Sequence, residues 1–181
     1  MRIITGKYKG QKILGVPGIS TRPTTAFNRE TIFSMYPYYE GYRVLDLFAG
    51  TGAFGLECLS RGAEWVDFVE FATPAIATLL ENIQKMKCGA DCHVHRRRVE
   101  AYLKLQHEPY DLIFLDPPYN KGLVGKCLEL IFSGNLLQTD GIIIAEHSPG
   151  EAIPPEYLSH QTDHKQGKIT CFTIFEKSIE E

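Results

Sequence analysis

The chain has 181 residues, a length that gives one domain with an ordinary core and leaves no room for a second large one. Its 44% apolar and 23% charged residues are those of a soluble globular protein, and its longest apolar runs, Leu112 to Leu115 and Ile142 to Ala145, are far too short to cross a bilayer. The start, Met1 to Gly10, lacks an apolar run of signal-peptide length. The five cysteines are an odd number scattered along the chain, so the expectation is a cytoplasmic protein with reduced thiols and no disulfide framework.

The formal charge of -3 conceals an asymmetry. Arg2, Lys7, Lys9, Lys12, Arg22 and Arg29 against Glu30 alone give residues 1–30 a net +5, leaving -8 on the remainder. A basic segment on an acidic body fits either a polyanion footprint, in which lysine and arginine bind phosphate by releasing counterions, or a solvated basic hairpin.

Residues 1–40 read as an extension and residues 41–181 as the main domain. Arg2 to Thr5 and Gln11 to Val16 form a predicted hairpin, and Arg22-Pro23-Thr24-Thr25 opens a helix running through Tyr36, with Thr24 as its N-cap. From Tyr42 onward, strands and helices alternate. The predicted strands are Arg43–Phe48, Trp65–Glu70, His93–Arg97, Asp111–Leu115 and Gly141–Glu146; the helices between them are Ala53–Arg61, Pro74–Met86, Val99–Gln106 and Gly122–Ser133. That alternation predicts a mostly parallel α/β sheet wrapped by helices. Tyr157–His164 and Ile169–Glu176, joined around Gln166-Gly167, predict a closing antiparallel hairpin.

Val44 to Gly52 is a buried strand entering a Gly-rich turn, followed by a helix. In open α/β sheets ligands bind beyond the carboxyl ends of the strands, where glycines allow close backbone approach, so Gly50 and Gly52 are candidate cofactor contacts. Glu70 ends the next strand, 20 residues beyond Gly50, where a carboxylate can accept hydrogen bonds from ribose hydroxyls. Gly50, Gly52 and Gly55 also satisfy the dinucleotide fingerprint, so the loop by itself leaves NAD and S-adenosylmethionine both open. Asp46, placed to meet a cationic amino-acid end, and the lack of room for a dehydrogenase substrate domain favour S-adenosylmethionine; Asp46 as a cap on the loop amides suits either.

Asp116-Pro117-Pro118-Tyr119 follows the apolar strand Leu112–Leu115 at the same end of the predicted sheet. Two prolines lock two φ angles and remove two N–H donors, which makes a stiff mount for acceptors. An aromatic amine is a poor nucleophile because its lone pair is delocalised. The Asp116 carboxylate and the Pro117 carbonyl can each accept one of its N–H bonds, aim the lone pair at a methyl and stabilise the charge that develops. Tyr119 offers a face on which an extruded base can stack, worth roughly 1–3 kcal/mol.

The chain resembles the RsmD-type 16S rRNA guanine-N2 methyltransferases, within the Asn/Asp-Pro-Pro-Tyr amino-methyltransferases. The likeness rests on Arg2-Ile3-Ile4 with Gly6 and Lys9-Gly10, Arg22-Pro23-Thr24, Arg29-Glu30 and Phe33, Val44 to Gly52, Gly55-Leu56-Glu57, Ser60-Arg61-Gly62-Ala63, and Tyr110 to Tyr119. It implies a seven-stranded Rossmann-like domain preceded by a small N-terminal hairpin, with S-adenosylmethionine as cofactor. The implied substrate is a guanine of small-subunit ribosomal RNA within an assembling particle, and neither metal, membrane nor obligatory protein partner is expected. Asp116, Pro117, Pro118 and Tyr119 would carry the transfer; Asp46, Phe48, Gly50, Thr51, Gly52 and Glu70 would hold the cofactor; Arg2, Lys7, Lys9 and Arg22 would touch RNA. Where relatives carry an acid after the third strand, this chain has Arg96-Arg97-Arg98-Val99-Glu100. The competing readings are an amino-methyltransferase acting on adenine N6 of DNA or on another RNA base, an NAD-dependent oxidoreductase, and a non-catalytic RNA-binding protein. Cys88, Cys92, His93 and His95 lack zinc-finger spacing and read as strand and loop residues.

Overall fold

A computed structural model describes residues 1–18 and 26–177. The expected cap Thr24 and Arg22, expected to touch RNA, lie outside the described residues. After helix α1 (Ala26–Met35), the chain alternates β1 (Arg43–Leu47), α2 (Ala53–Ser60), β2 (Trp65–Glu70), α3 (Thr73–Met86), β3 (Cys92–Arg96), α4 (Val99–Leu103), β4 (Tyr110–Leu115), α5 (Leu123–Ser133) and β5 (Leu137–His147). A 3-10 turn, Pro155–His160, then leads into the hairpin β6 (Gln161–Gln166) and β7 (Cys171–Glu176).

The seven strands form one sheet in the order β3-β2-β1-β4-β5-β7-β6, parallel except for β7, which is antiparallel to both of its neighbours. The predicted α/β sheet closed by a hairpin is thus the observed one. β1, β2 and β4 are buried almost throughout because a parallel sheet is covered on both faces. One face packs α2 and α3 through Leu56, Leu59, Leu79 and Ile83; the other packs α4 and α5 through Val99, Tyr102, Val124 and Leu128. The chain changes faces between β3 and β4, so β1 and β4 become neighbours whose onward connections diverge. That divergence opens a crevice above their carboxyl ends.

Several boundaries differ from expectation; α4 ends at Leu103 rather than Gln106, and three other differences have a clear physical reason. Tyr157 to His160 is a 3-10 turn rather than strand, because Pro154-Pro155 fixes φ and starts a tight turn. β5 begins at Leu137, four residues before Gly141, with polar Gln138, Thr139 and Asp140 hiding its start from an apolar pattern. The N-terminal hairpin is reduced to a single antiparallel bridge, Arg2 with Lys12, flanked by bonds from Ile3 N–H to the Gln11 carbonyl (3.0 Å) and Ile13 N–H to the Met1 carbonyl (2.9 Å).

That hairpin shares the core of the main domain. Ile3, Ile13, Ile32 and Phe33 are buried in the same cluster as α2 and β1. Glu57 on α2, with no exposed surface, accepts the backbone N–H groups of Ile4 (2.7 Å) and Thr5 (3.0 Å) and pairs with Arg61. Asn82 on α3 accepts the Leu14 N–H and donates to the carbonyls of Leu14 and Thr51, tying the extension to the Gly-rich loop.

Candidate active site

Beyond Leu47 the chain leaves the sheet through three left-handed residues, Phe48 (φ 60°), Gly50 (φ 54°) and Gly52 (φ 77°). A side chain at Gly52 would place its Cβ 2.3 Å from Leu79 Cδ1 and 3.3 Å from Phe68 Cε1 at a φ that L residues rarely adopt, so glycine suits the close pass of the loop over α3. Phe48 holds a conformation that costs a non-glycine residue about 1–3 kcal/mol. The next two amides secure it: Ala49 N–H binds the Val69 carbonyl (3.1 Å) and Gly50 N–H binds Glu70 Oε2 (2.9 Å).

Glu70 is therefore a built part of the loop. Its Oε1 accepts from the N–H groups of both Phe71 and Ala72 (2.8 Å each). A carboxylate has about four acceptor positions, so three backbone bonds leave room on Oε2 for one ribose hydroxyl rather than two. Asp46, 2% exposed, accepts the Gly55 N–H (3.0 Å) and so caps the first turn of α2. Burial pushes its carboxyl well above the ordinary range, partly opposed by the Gly55 bond and reinforced by the negative charges of Asp116 and Glu70.

At the neighbouring strand end, Asp116-Pro117-Pro118-Tyr119 leaves β4 and turns through Asn120 at φ 57°. The Asn120 N–H binds Glu151 (2.9 Å), and the Ser148 hydroxyl donates to Asn120 Oδ1 (2.8 Å). The Tyr119 hydroxyl donates to Glu146 Oε1 (3.2 Å) and lies 3.2 Å from Thr170 Oγ1, which fixes the ring from its far end.

The two loops open onto one cavity of about 710 Å³. Asp46, Phe48, Gly50, Thr51 and Glu70 line one wall; Asp116, Pro117, Pro118 and Tyr119 line another. Gly52 is set behind the loop. Phe54 and Phe114, stacked at 3.9 Å, add an aromatic surface. The carboxylates Asp46, Glu70, Asp116 and Glu146 face Arg29 as the one basic lining side chain. Such a lining attracts a cation and repels a pyrophosphate, which sets this cavity against a dinucleotide.

The sequence reading did not single out Glu146, Phe54, Phe114 or Arg29 as pocket residues. Arg29 had a signal: it shares a helical face with Ile32 and Phe33, three and four residues on, where a charge among apolar residues is out of place. Its burial also removes it from the basic surface counted in the charge asymmetry. Lys7 and Lys9 are exposed on the hairpin, Lys7 3.5 Å from Asp91, whereas an Arg2 guanidinium nitrogen is bound to the Gly10 carbonyl (2.6 Å). Arg98 stands exposed over the Phe71 ring, 4.8 Å from its centroid, at the edge of the cavity. Among the described residues no His, Cys, Asp or Glu group of three is placed to hold a metal, and no helix is long and apolar enough to cross a membrane.

Sheet order and a crevice lined by these two loops define a Rossmann-like fold of the methyltransferase type. The sequence model of a family described as "Conserved hypothetical protein 95" matches residues 1–175. Bacillus subtilis YlbH, provisionally named an rRNA methyltransferase, is 40% identical over 158 residues, covering 85% of this chain and 86% of that protein. Ribosomal RNA small subunit methyltransferase D of Escherichia coli K12 is 31% identical over 155 residues, covering 85% and 78%. A solved Escherichia coli structure described as a candidate methyltransferase, yhhF, superposes with a TM-score of 0.86 at 29% identity over 99% of both chains. The SAH-bound Podospora anserina methyltransferase PaMTH1 matches more distantly, with a TM-score of 0.52 and 25% identity over 57% of this chain and 44% of that one. The chain belongs to this family, the RsmD family.

Proposed function

We propose that this protein transfers a methyl group from S-adenosylmethionine to the exocyclic N2 amine of a guanine in small-subunit ribosomal RNA. The observation that carries the reading is the single cavity into which the glycine loop of β1 and the Asp-Pro-Pro-Tyr turn of β4 both open. The names of the rRNA methyltransferase relatives support RNA as substrate, and SAH in PaMTH1 supports the cofactor. The cavity also fits such a cofactor on its own chemistry: its carboxylates suit a ligand bearing a sulfonium and an ammonium, and its aromatic surface suits a flat base.

When bound, S-adenosylmethionine supplies an electrophilic methyl. Asp116 and the Pro117 carbonyl accept the two N–H bonds of the target amine and orient its lone pair, and the proton departs after the methyl has arrived. Tyr119, tethered through its hydroxyl to Glu146, presents its ring to the extruded base. Asp46 and Glu70 hold the cofactor's cationic and ribose parts, with Phe48, Gly50 and Thr51 shaping the loop around them. Lys7 and Lys9, with Arg2 and Arg22, supply phosphate contacts, and the setting is cytoplasmic, on a partly assembled particle. The deciding experiment incubates the protein with undermethylated small ribosomal subunits and labelled S-adenosylmethionine, then maps the modified nucleotide by mass spectrometry. N2-methylguanosine is the expected product; label on adenine N6, or none, overturns the assignment.

A further inference from the structure

We propose that Arg29 binds the α-carboxylate of the methionine part of S-adenosylmethionine, so that the N-terminal extension completes the cofactor site. The inference rests on the methyltransferase reading above. Arg29 is 2% exposed, yet only one of its guanidinium nitrogens is engaged: Nη2 donates to the Arg2 carbonyl (2.7 Å). Nε and Nη1 are buried without a hydrogen-bond partner, and the side chain lines the cavity. A guanidinium does not deprotonate in proteins, so burying it with unmade donors is strongly unfavourable unless an anion arrives. Glu57 and Glu30 act on it only through space.

The ligand's own chemistry identifies the anion. Every other ionisable side chain on the cavity wall is a carboxylate or Tyr119, so the sulfonium and ammonium are provided for and the α-carboxylate is not. A phosphate of the substrate strand also bears negative charge, but a strand entering a pocket leaves its phosphates at the mouth, and Arg29 has almost no solvent exposure. Nε and Nη1 lie on different edges of the guanidinium, and each forms a bidentate fork for a carboxylate with Nη2, whose second N–H remains available on the edge that the Arg2 carbonyl does not occupy. Because Arg29 follows from the same segment whose backbone Glu57 and Asn82 pin to the domain, docking of the extension and affinity for the cofactor are coupled.

The test compares S-adenosylmethionine with its decarboxylated analogue, which keeps both cationic centres, by calorimetric titration of the intact protein. A cavity lined by carboxylates alone would prefer the more positive analogue. With Arg29 acting as proposed, the wild type binds the analogue roughly 10- to 100-fold more weakly. R29Q should bring the two ligands to within about threefold of each other, or reverse their order, while R29K restores part of the preference. Equal binding of both ligands by the wild type overturns the proposal whether or not R29Q folds. So does a preference that persists in correctly folded R29Q, and R29Q that instead lowers the salt dependence of RNA binding would make the residue a phosphate contact. Failure of the wild type to bind either ligand strikes at the methyltransferase reading itself and is thereby distinguished.

Discussion

The chemistry assigned to Asp116 concerns an acceptor placed where charge develops, and such a group affects the transition state far more than the resting complex. Asp116→Ala is expected to leave S-adenosylmethionine affinity within a few-fold and to lower single-turnover methyl transfer by roughly 100- to 1,000-fold; equal losses in binding and rate would move the residue into cofactor binding or folding. Asp46 makes a separate prediction in pH. Its folded carboxyl titrates well above the ordinary value, mainly through burial, with the Gly55 N–H opposing and Asp116 and Glu70 adding to the rise. A folded value above the unfolded one means that the native state holds the extra proton, so this residue's contribution to stability is full below the unfolded value and is lost as pH rises through the folded one. A cationic ligand favours the ionised form. Binding of S-adenosylmethionine should therefore release a proton and tighten as pH rises across that window, and Asp46→Asn should flatten the trend. Calorimetry in two buffers of different ionisation enthalpy reads the proton directly, and a proton taken up instead would reverse the sign.

Among the elements, the joint between hairpin and α2 carries the greatest structural weight. Glu57 satisfies the Ile4 and Thr5 amides and the Arg61 Nε from a fully buried position, and Glu57→Ala leaves all three without that partner. The expected loss is about 3 kcal/mol, or roughly 6–12 °C in Tm for a domain of this size. Gly6 offers an independent probe: at φ 84° its added Cβ would fall 1.7 Å from the Ser60 carbonyl oxygen, so Gly6→Ala should also lower Tm and weaken cofactor binding as the extension lifts. Unchanged cofactor affinity in a destabilised Gly6→Ala protein would uncouple the two. This joint was the least legible part of the sequence. The sheet was readable because the buried parallel strand Leu112–Leu115 is a continuous apolar run and Val44–Leu47 is broken only by Asp46, and Gly50, Glu70 and Asp116 fall at strand ends by spacing alone. Glu57 and Asn82 look like ordinary polar helix positions, because the backbone groups they bind lie 31 to 68 residues away. Glu146 was hidden for a related reason: it is the penultimate residue of β5, but nothing local shows that β5 lies next to β4 and aims this carboxylate at Tyr119.

At the scale of the whole molecule the question is how a chain of net charge -3 approaches a polyanion. Net charge sets the far field, but affinity for RNA is governed by the cations that displace counterions at the contact. Burial of Arg29 and the internal bond of Arg2 leave Lys7, Lys9 and Lys12 as the exposed lysines of the hairpin, which is held beside the cavity by Glu57, Ser60 and Asn82. The pair between Lys7 and Asp91 is exposed on both sides and is worth little, so Lys7 can exchange it for a phosphate at small cost. Deleting the hairpin would test nothing cleanly, because Ile3 and Ile13 belong to the core. Lys7→Ala with Lys9→Ala leaves the core intact and should change stability by less than about 1 kcal/mol. If both lysines meet phosphates, the double variant should reduce the slope of log affinity against log salt by roughly 1.4–1.8 and leave S-adenosylmethionine binding unchanged. A slope equal to that of the wild type would assign the polyanion contact to another surface, with the exposed Arg96, Arg97 and Arg98, the last over the Phe71 ring at the cavity edge, as the next to substitute.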